Sequence, residues 1–357
     1  MVFGLLATSI MAPYCTLVRV PVPDLTYGQP VEVRDIDPDM DWTDAILSWN
    51  VQDSQSAHLR VEVSIGNGWY SMADWSGNLN RGPRTSFKSQ KTEVAEVQTD
   101  VFHAFKPQRK LSLKLTLDRT TASASPALKL LTVCFSNAAS MTPETPTLTK
   151  AAAAIEAPQL AQGPYEFGKL QYRPSEVSQR FVEWFKAAKG AQYCSPTSDT
   201  MLLNFWSEKL NRPDLGVDMP CSVASVFDES YPGTGNWSFN TAYLGSFPGM
   251  RSYVTRLSGM GDLASLIDSG IPVICSVASN MLKGKPPGGD GHLLLVIGID
   301  EEGKVVCNDP AKSDEIRKRY EAPTFAKAWE RSGRTVYLCY PENMQLPALK
   351  ESSVLSQ

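Results

Sequence analysis

The sequence predicts a two-domain protein in which an all-β antiparallel sandwich precedes an α+β domain. A chain of 357 residues exceeds what one hydrophobic core usually serves, so length alone favours two domains. Short segments of period two fill the first 137 residues, as expected of strands with one wet face. Beyond residue 163, helix-like segments precede and separate strand-like runs, which is typical of α+β organisation.

The first domain is predicted over residues 1–137. Ala57–Ile65 and Leu111–Leu117 alternate apolar and polar residues without a break. Clusters of Gly, Asn and Pro separate these strands from one another, as in an antiparallel sandwich. Further strands are predicted at 31–36, 44–50, 69–75 and 128–135, and the apolar start, Val2–Ala12, as a first strand.

Residues 138–163 are rich in Pro, Thr and Ala and poor in large apolar side chains, which predicts a linker. The second domain then covers 164–357. Helices are predicted at 177–188, 195–210, 261–269 and 323–332, and strands at 271–278, 293–299, 304–308 and 335–340.

Composition excludes several classes of function. The formal charge of −4 comes from intermixed charges with no basic stripe, so we expect no nucleic-acid partner. No run reaches the roughly 18 apolar residues that a membrane span needs. The apolar start lacks a basic segment in front of it, so no signal peptide is predicted and a cytoplasmic location is favoured over a secreted one.

The cysteines and histidines predict neither a disulfide framework nor a metal site. Seven Cys occur, an odd number, and no CxxC pair is present. There are only three His, which makes a His-rich metal site improbable. The absence of a P-loop and of GxGxxG after a strand leaves no motif for a cofactor, and we expect none.

Cys194 lies in a context suited to a reactive thiol. It opens the helix-like segment Cys-Ser-Pro-Thr-Ser-Asp-Thr-Met-Leu-Leu. Pro196 is tolerated in a first helical turn, where its missing N–H costs nothing. A helix N-terminus and a neighbouring imidazolium both favour the thiolate, which is the nucleophilic form. A Cys before a helix is also common in purely structural roles, so a catalytic interpretation requires a neighbouring base as well.

His292 can be that base, oriented by Asp309, if the two strands next to these residues pair in the right register. His292 opens the apolar strand 293–299, and Asp309 ends the strand 304–308. With a loop of two or four residues, His292 faces position 311 and Asp309 lies on the same face, one diagonal step away. A three-residue loop would place Asp309 on the opposite face. Asp309 could otherwise be a turn residue before Pro310.

These three residues predict thiol catalysis. Cys194 would attack a carbonyl as thiolate, His292 would pass the proton to the leaving amine, and Asp309 would orient the ring. Gln179 is the preferred side-chain donor for the oxyanion, with Gln192 as the alternative. The segment Gly235–Ala242 joins aromatics to amides, so Trp237 and Asn240 would either line a substrate groove or pack inside the domain.

The second half resembles the double-glycine-leader (bacteriocin-processing) cysteine peptidases of bacteria, specifically their stand-alone relatives that are not fused to transporters. The resemblance covers roughly 165–343 and rests on Tyr193–Ser198, Gly235–Ala242, Gly291–His292 and Asn308–Ala311. It implies a papain-like fold, with Cys194 as nucleophile, His292 as base and Asp309 as orienting acid. The β-rich half resembles the sandwich-like domains that precede such peptidase domains.

The chain departs from the better-known members of that family at two places. They carry Gly after the nucleophile, where this chain has Ser195, and their oxyanion Gln lies closer to the Cys than Gln179 does. No transporter segment is present, so the resemblance does not imply that this chain cleaves double-glycine leaders.

Three functions therefore remain open at the level of sequence. The first is a peptidase acting on a peptide or protein. The second is an amidase, acyltransferase or transpeptidase with the same triad. The third is an inactive binding protein whose β domain recognises a glycan, protein or cell-envelope ligand. Trp42, Trp49, Trp69 and Trp75 would suit carbohydrate stacking if exposed, although core packing is favoured.

Overall fold

The computed structural model describes residues 13–66, 68–144, 154–163, 179–188, 192–288, 291–311, 314–350 and 354–355, with only the backbone of Gln179 and Arg180. The strand predicted at Val2–Ala12 lies outside these residues. None of the helices in this part of the chain combines the length and the apolar character that crossing a bilayer requires.

The N-terminal domain consists of two antiparallel five-stranded sheets. Its strands are β1 (Cys15–Arg19), β2 (Pro30–Ile36), β3 (Trp42–Gln52), β4 (Ala57–Ser64), β5 (Tyr70–Ser76), β6 (Arg84–Ser86), β7 (Ala95–Gln98), β8 (Val101–Gln108), β9 (Leu111–Arg119) and β10 (Ala127–Ser136). One sheet has the order β1-β10-β3-β8-β7 and the other β2-β9-β4-β5-β6. The six internal strands predicted from period two are confirmed. Short or interrupted strands such as β6 and β7 carry too few alternations to be recognised.

The two sheets enclose one hydrophobic cluster, and three of the four tryptophans lie inside it. Trp42, Trp49 and Trp75 are buried, and their rings contact neighbouring aromatic rings. They cannot stack on a sugar from solvent. Trp69 is partly exposed, with the Lys114 ammonium 4.6 Å from its ring centre.

The C-terminal domain begins with helices and continues with an antiparallel sheet. The helices are α1 (Gln179–Ala188), α2 (Cys194–Leu210), α3 (Met219–Val226), α4 (Trp237–Leu244), α5 (Met260–Asp268), α6 (Ser279–Leu282) and α7 (Ala322–Glu330). The strands are β11 (Met250–Arg256), β12 (Val273–Ala278), β13 (Gly291–Ile299), β14 (Val305–Asn308), β15 (Arg317–Tyr320) and β16 (Thr335–Pro341), in the sheet order β11-β16-β12-β13-β14-β15. The four predicted helices and four predicted strands are present, whereas α3, α4, α6, β11 and β15 were not predicted.

Side chains of β3 cover the outer edge of the six-stranded sheet. At this edge, Asn50 Nδ2 donates to the Ser252 carbonyl (2.8 Å), and the Ser252 N–H donates to Asn50 Oδ1 (3.0 Å). The Val254 N–H donates to Ser48 Oγ at 2.9 Å. An open edge would leave these backbone groups unpaired, so the first domain completes the hydrogen bonding of the second.

Helix α4 is the main apolar link between the domains. Phe239 and Ala242 belong to the hydrophobic cluster of the N-terminal sandwich, although they lie on a helix of the second domain. Phe239 contacts Trp49 edge to face, with ring centres 6.3 Å apart. Conversely, Ile46 and Leu130 of the sandwich belong to the core of the second domain. The two cores therefore interlock.

Residues on either side of the undescribed part of the linker also contact the second domain. Glu144 accepts a hydrogen bond from the Met260 N–H at 2.8 Å. The Ile155 N–H donates to the Ile297 carbonyl at 2.7 Å. Asn308 Nδ2 donates to the Pro158 carbonyl at 2.9 Å. These contacts attach the described linker residues on both sides of residues 145–153 to the C-terminal domain.

Because the cores interlock, Phe239→Ala should destabilise both domains together. Emptying this fully buried site should lower the free energy of unfolding by about 3 kcal/mol or more. Urea denaturation followed by tryptophan fluorescence and by circular dichroism should show one shared transition. Leu210→Ala is the control, because this side chain is 37% exposed. Two separate transitions, or a loss no larger than the control's, would contradict the interlocked core.

Candidate active site

Helix α2 begins at Cys194 and places its sulfur at the first turn. The residue before it, Tyr193, offers no side-chain cap to the helix. Its ring is buried and stacked on Phe185, with ring centres 5.2 Å apart, and its hydroxyl donates to the Phe185 carbonyl at 2.8 Å. The chain entering the helix is thus fixed by packing, and at the first turn the Ser195 N–H is hydrogen-bonded to the Cys194 sulfur.

Helix α2 is buried on most sides rather than along one stripe. Residues 195–203 are all buried, polar and apolar alike. Ser198 Oγ donates to the Leu293 carbonyl at 3.4 Å, which ties the helix to β13. A helix in this central position can hold one side chain in register with a neighbouring strand.

Hydrogen bonds of the Ser195 side chain hold the first turn of α2 in place. Its Oγ donates to Asn240 Oδ1 at 2.9 Å and lies 3.1 Å from the Tyr337 hydroxyl. Asn240 Nδ2 in turn donates to the carbonyls of Thr234 (2.8 Å) and Asn236 (2.6 Å). Asn240 is fully buried, so it lies beneath the cleft and supports Cys194 through Ser195, rather than lining a substrate groove.

The N-terminal domain reaches the same region. Asp100 Oδ2 accepts the Trp237 N–H at 2.6 Å, at the start of α4. Ser238 Oγ donates to the Leu47 carbonyl at 2.7 Å. A carboxylate at a helix N-terminus satisfies a free donor there. The β domain thereby holds the helix that carries Trp237 and Asn240.

A β-bulge sets the register that brings His292 and Asp309 together. Five residues, Asp300–Lys304, separate the paired residues Ile299 and Val305, and an odd loop alone would turn Asp309 away. The register shifts between Val296 and Gly298, so that Leu295 pairs with Asn308. The bulge thus restores the predicted pairing at the His292 end although the loop has an odd number of residues.

The structure brings Cys194, His292 and Asp309 into contact. His292 Nε2 lies 2.7 Å from Asp309 Oδ1, and both side chains are buried. Because a carboxylate only accepts hydrogen bonds, Nε2 carries the proton. The other ring nitrogen, Nδ1, is then left for the Cys194 thiol, which is hydrogen-bonded to the same imidazole.

Asp309 is itself held by two further donors. The Tyr320 hydroxyl donates to its Oδ2 at 2.5 Å, and the Ala311 N–H donates to its Oδ1 at 2.9 Å. Burial would raise the pKa of this carboxyl, but the bonds from His292, Tyr320 and Ala311 outweigh it and lower the pKa to about 2. Asp309 is therefore ionised at neutral pH and orients the imidazole.

The charges favour a thiolate–imidazolium pair. Burial would raise the pKa of Cys194, but the hydrogen bond and charge of His292, with the N–H groups of Leu293 and Ser195, lower it below the usual thiol value. Burial would lower the pKa of His292, but Asp309 and Cys194 raise it to about 10. At neutral pH the ring is protonated, and the neighbouring sulfur is favoured as thiolate, the form in which a cysteine can act as a nucleophile.

A cleft of about 420 Å³ opens above the sulfur. Its lining consists of Gln192, Cys194, Tyr231, Pro232, Thr234, Gly235, Trp237, Ser276, Gly291 and Leu293. Trp237 and Gln192, both singled out from sequence, lie here, whereas the side chain of Gln179 lies outside the described residues. The described residues contain no group of three or more His, Cys, Asp or Glu placed to hold a metal ion.

Sequence reasoning missed several residues of this site. Tyr320 ends the charged run Arg-Lys-Arg-Tyr, which gave no apolar alternation to reveal a strand. Tyr231 lies in an irregular segment rich in Gly and Pro. The support of Ser195 by Asn240 joins residues 45 positions apart, and no spacing rule covers such a contact.

Each of the two halves of the chain matches a different family model. Residues 176–337 match the family model described as Peptidase_C39 like family, and residues 31–136 match one described as Peptidase C39 N-terminal domain. No curated protein matches the chain.

One similar solved structure is a Bacillus anthracis protein described, as a provisional assignment, as a C39-like peptidase. It is 17% identical, covers 42% of this chain and 88% of its own, and has a TM-score of 0.29, too low to support any inference.

Two partly exposed thiols allow a direct test of the site. Cys194 and Cys221 are both partly exposed, but burial and Asp218 raise the pKa of Cys221. At neutral pH we expect iodoacetamide to alkylate Cys194 at least about tenfold faster than Cys221. The advantage should persist until the pH approaches about 10, where His292 loses its proton.

His292→Ala should remove this advantage, because the thiol then loses both its hydrogen bond and its neighbouring cation. Peptide mapping after timed alkylation measures both rates in the same sample. Equal rates for the two thiols in the unmodified protein would contradict the ion pair.

Proposed function

We propose that this chain, a relative of the Peptidase_C39-like family, is a cysteine peptidase whose catalytic domain has a papain-like α+β arrangement. One observation carries the proposal: a partly exposed thiol in a cleft shares one buried imidazole with an ionised carboxylate. This arrangement supplies a nucleophile, a proton donor and an orienting group in one place.

The first half of the proposed reaction forms a thioester. The Cys194 thiolate attacks the carbonyl carbon of the scissile bond, and the carbonyl electrons move onto oxygen. His292 then gives its Nδ1 proton to the departing amine nitrogen as the C–N bond breaks. Asp309 keeps the ring oriented through the bond to Nε2.

The second half regenerates the enzyme. Neutral His292 takes a proton from water, and the hydroxide attacks the thioester carbon. The C–S bond breaks, which releases a carboxylic acid and returns the thiolate and the imidazolium. The backbone N–H of Cys194 and a glutamine side chain would stabilise the oxyanion. Gln192 is the candidate within the described cleft, and Gln179 remains the alternative.

The rival functions differ in the bond cleaved or in the absence of turnover. An amidase or acyltransferase would use the same three residues on a different substrate. A binding protein would need none of the proton transfers. A glycan or cell-envelope ligand of the β domain would have to bind without Trp42, Trp49 and Trp75, because those rings are in the core.

Digestion of a peptide library should reveal amide-bond cleavage that depends on Cys194. Cys194→Ala should lower kcat by at least about a thousandfold, because the covalent nucleophile is lost. The matched control is Cys221→Ala, which removes the other partly exposed thiol and should leave turnover unchanged.

Unchanged turnover in Cys194→Ala would end the proposal. Mass spectrometry of the products separates the alternatives. Cleavage restricted to side-chain or non-peptide amides would support the amidase, and acyl transfer to an added amine without net hydrolysis would support the transferase.

A further inference from the structure

Tyr231 places a phenol in the cleft beside the reactive sulfur. It lines the same cavity as Cys194 and Gly235. The Gly235 N–H donates to the phenol oxygen at 2.9 Å, which fixes the position of that oxygen. No acceptor for the phenol proton is found among the described residues, so the O–H remains available to a bound molecule.

The chain is shaped around this ring by two glycines. A Cβ on Gly233 would lie 2.7 Å from the Tyr231 ring, and a Cβ on Gly235 would lie 2.9 Å from its hydroxyl. Real Cβ atoms do not approach other atoms so closely, so any larger residue would displace the phenol. The two glycines therefore leave the room that the Tyr231 ring occupies at the cleft wall.

Burial and the surrounding negative charges keep this phenol protonated. Burial raises the pKa of Tyr231 above its usual value, and Asp100, Asp228 and Cys194 raise it further. Tyr231 is thus a hydrogen-bond donor in the cleft and cannot serve as a base or nucleophile near neutral pH.

We propose that the Tyr231 hydroxyl donates a hydrogen bond to the oxyanion that forms when Cys194 attacks its substrate. This role rests on the proposed function and adds a donor to those that the sequence suggested. Fixed donors aimed at a developing oxyanion stabilise the transition state without needing to reorganise.

Tyr231→Phe removes only the hydroxyl and tests the role directly. We expect kcat/KM to fall by about a hundredfold. The affinity for a peptide aldehyde should fall in parallel, because the thiohemiacetal that it forms with Cys194 carries the same oxygen. Alkylation by iodoacetamide creates no oxyanion, so its rate should be unchanged. Tyr253→Phe, which removes a hydroxyl buried against Tyr340, is the control and should keep full activity.

The outcomes separate the donor role from simpler explanations. Full kcat/KM in Tyr231→Phe would overturn the donor role and leave the peptidase intact. A parallel loss of alkylation and hydrolysis would show that the phenol only supports the structure. Slow alkylation of Cys194 in the unmodified protein would overturn both the peptidase and the donor role.

A second inference concerns a cavity that adjoins the cleft at Trp237. It has a volume of about 550 Å³ and shares Trp237 with the cleft. Ser332 lines this second cavity, and its hydroxyl donates to the carbonyl of Ser276, which lines the first. The two spaces are therefore close neighbours.

The second cavity lies between the domains and carries unpaired positive charge. Asp44 of the β domain lines it, but this carboxylate is bonded to Arg256 and His103. Lys327 and Arg331 also line it, are exposed, and form no ion pair or side-chain hydrogen bond with the described residues. The remaining acid, Glu330, is paired with Arg334.

We infer that a substrate chain runs from Cys194 over Trp237 into this cavity, where an acidic side chain is favoured. This inference also rests on the proposed function, and it gives the β domain a part in substrate selection. Opposite charge at an exposed site contributes modestly, so the selectivity is expected to be graded rather than absolute.

Matched peptides test this selectivity. The best-cleaved library peptide should be compared with variants in which each Glu is replaced by Gln, or the reverse, along its length. At one position Glu should lower KM by about threefold to tenfold with little change in kcat. The double variant Lys327→Ala, Arg331→Ala should abolish that difference, whereas Lys209→Ala, which removes a lysine elsewhere, should not.

An equal effect of the double variant on Glu and Gln peptides would overturn the charge preference while cleavage persists. Absence of cleavage of every peptide would instead count against the peptidase itself. Added salt should reduce the Glu preference if charge is its cause.

Discussion

The buried contact between His292 and Asp309 is the interaction on which the site depends. It fixes the ring through Nε2 and keeps the imidazole charged although burial opposes that charge. The charged ring contributes most to lowering the pKa of a thiol that burial would otherwise raise. Without the carboxylate, the same burial would favour neutral sulfur and neutral imidazole, and the cleft would hold an ordinary buried cysteine.

Three parts of the fold position the residues of this site. The bulge between Val296 and Gly298 sets the face on which Asp309 lies. The central helix α2 carries Cys194, and its first turn is held by Ser195 and Asn240. The β domain contributes through Asp100, which accepts the first N–H of α4. The accessory domain is thus part of the scaffold of the site, in agreement with the interlocked hydrophobic cores.

Sequence reasoning succeeded where a residue's role depends on its own neighbourhood. Period two predicted the longer strands, and Cys194 and His292 were recognisable from the elements that they open. The prediction that Asp309 lies on the same face as His292 assumed an even number of residues in the loop between the two strands. The loop proved odd, and a bulge that no residue pattern announces restored the register. Tyr320 and Tyr231 were not predicted, and Asn240 was predicted as a groove or packing residue rather than as the support of Ser195. These roles arise from contacts between distant segments, which depend on packing rather than on periodicity. The match of residues 176–337 to a peptidase family agrees with the half that carried the motifs.

The thiolate–imidazolium pair can be tested most directly by titrating the ultraviolet absorbance of the thiolate against pH. The difference between the unmodified protein and Cys194→Ser isolates the signal of this one sulfur from the other six cysteines. The account predicts that the thiolate absorbance is present at neutral pH and disappears only when the solution is made acidic. In His292→Ala this absorbance should be absent at neutral pH. Absorbance that appears only above the ordinary thiol range, and is unaffected by His292→Ala, would contradict it.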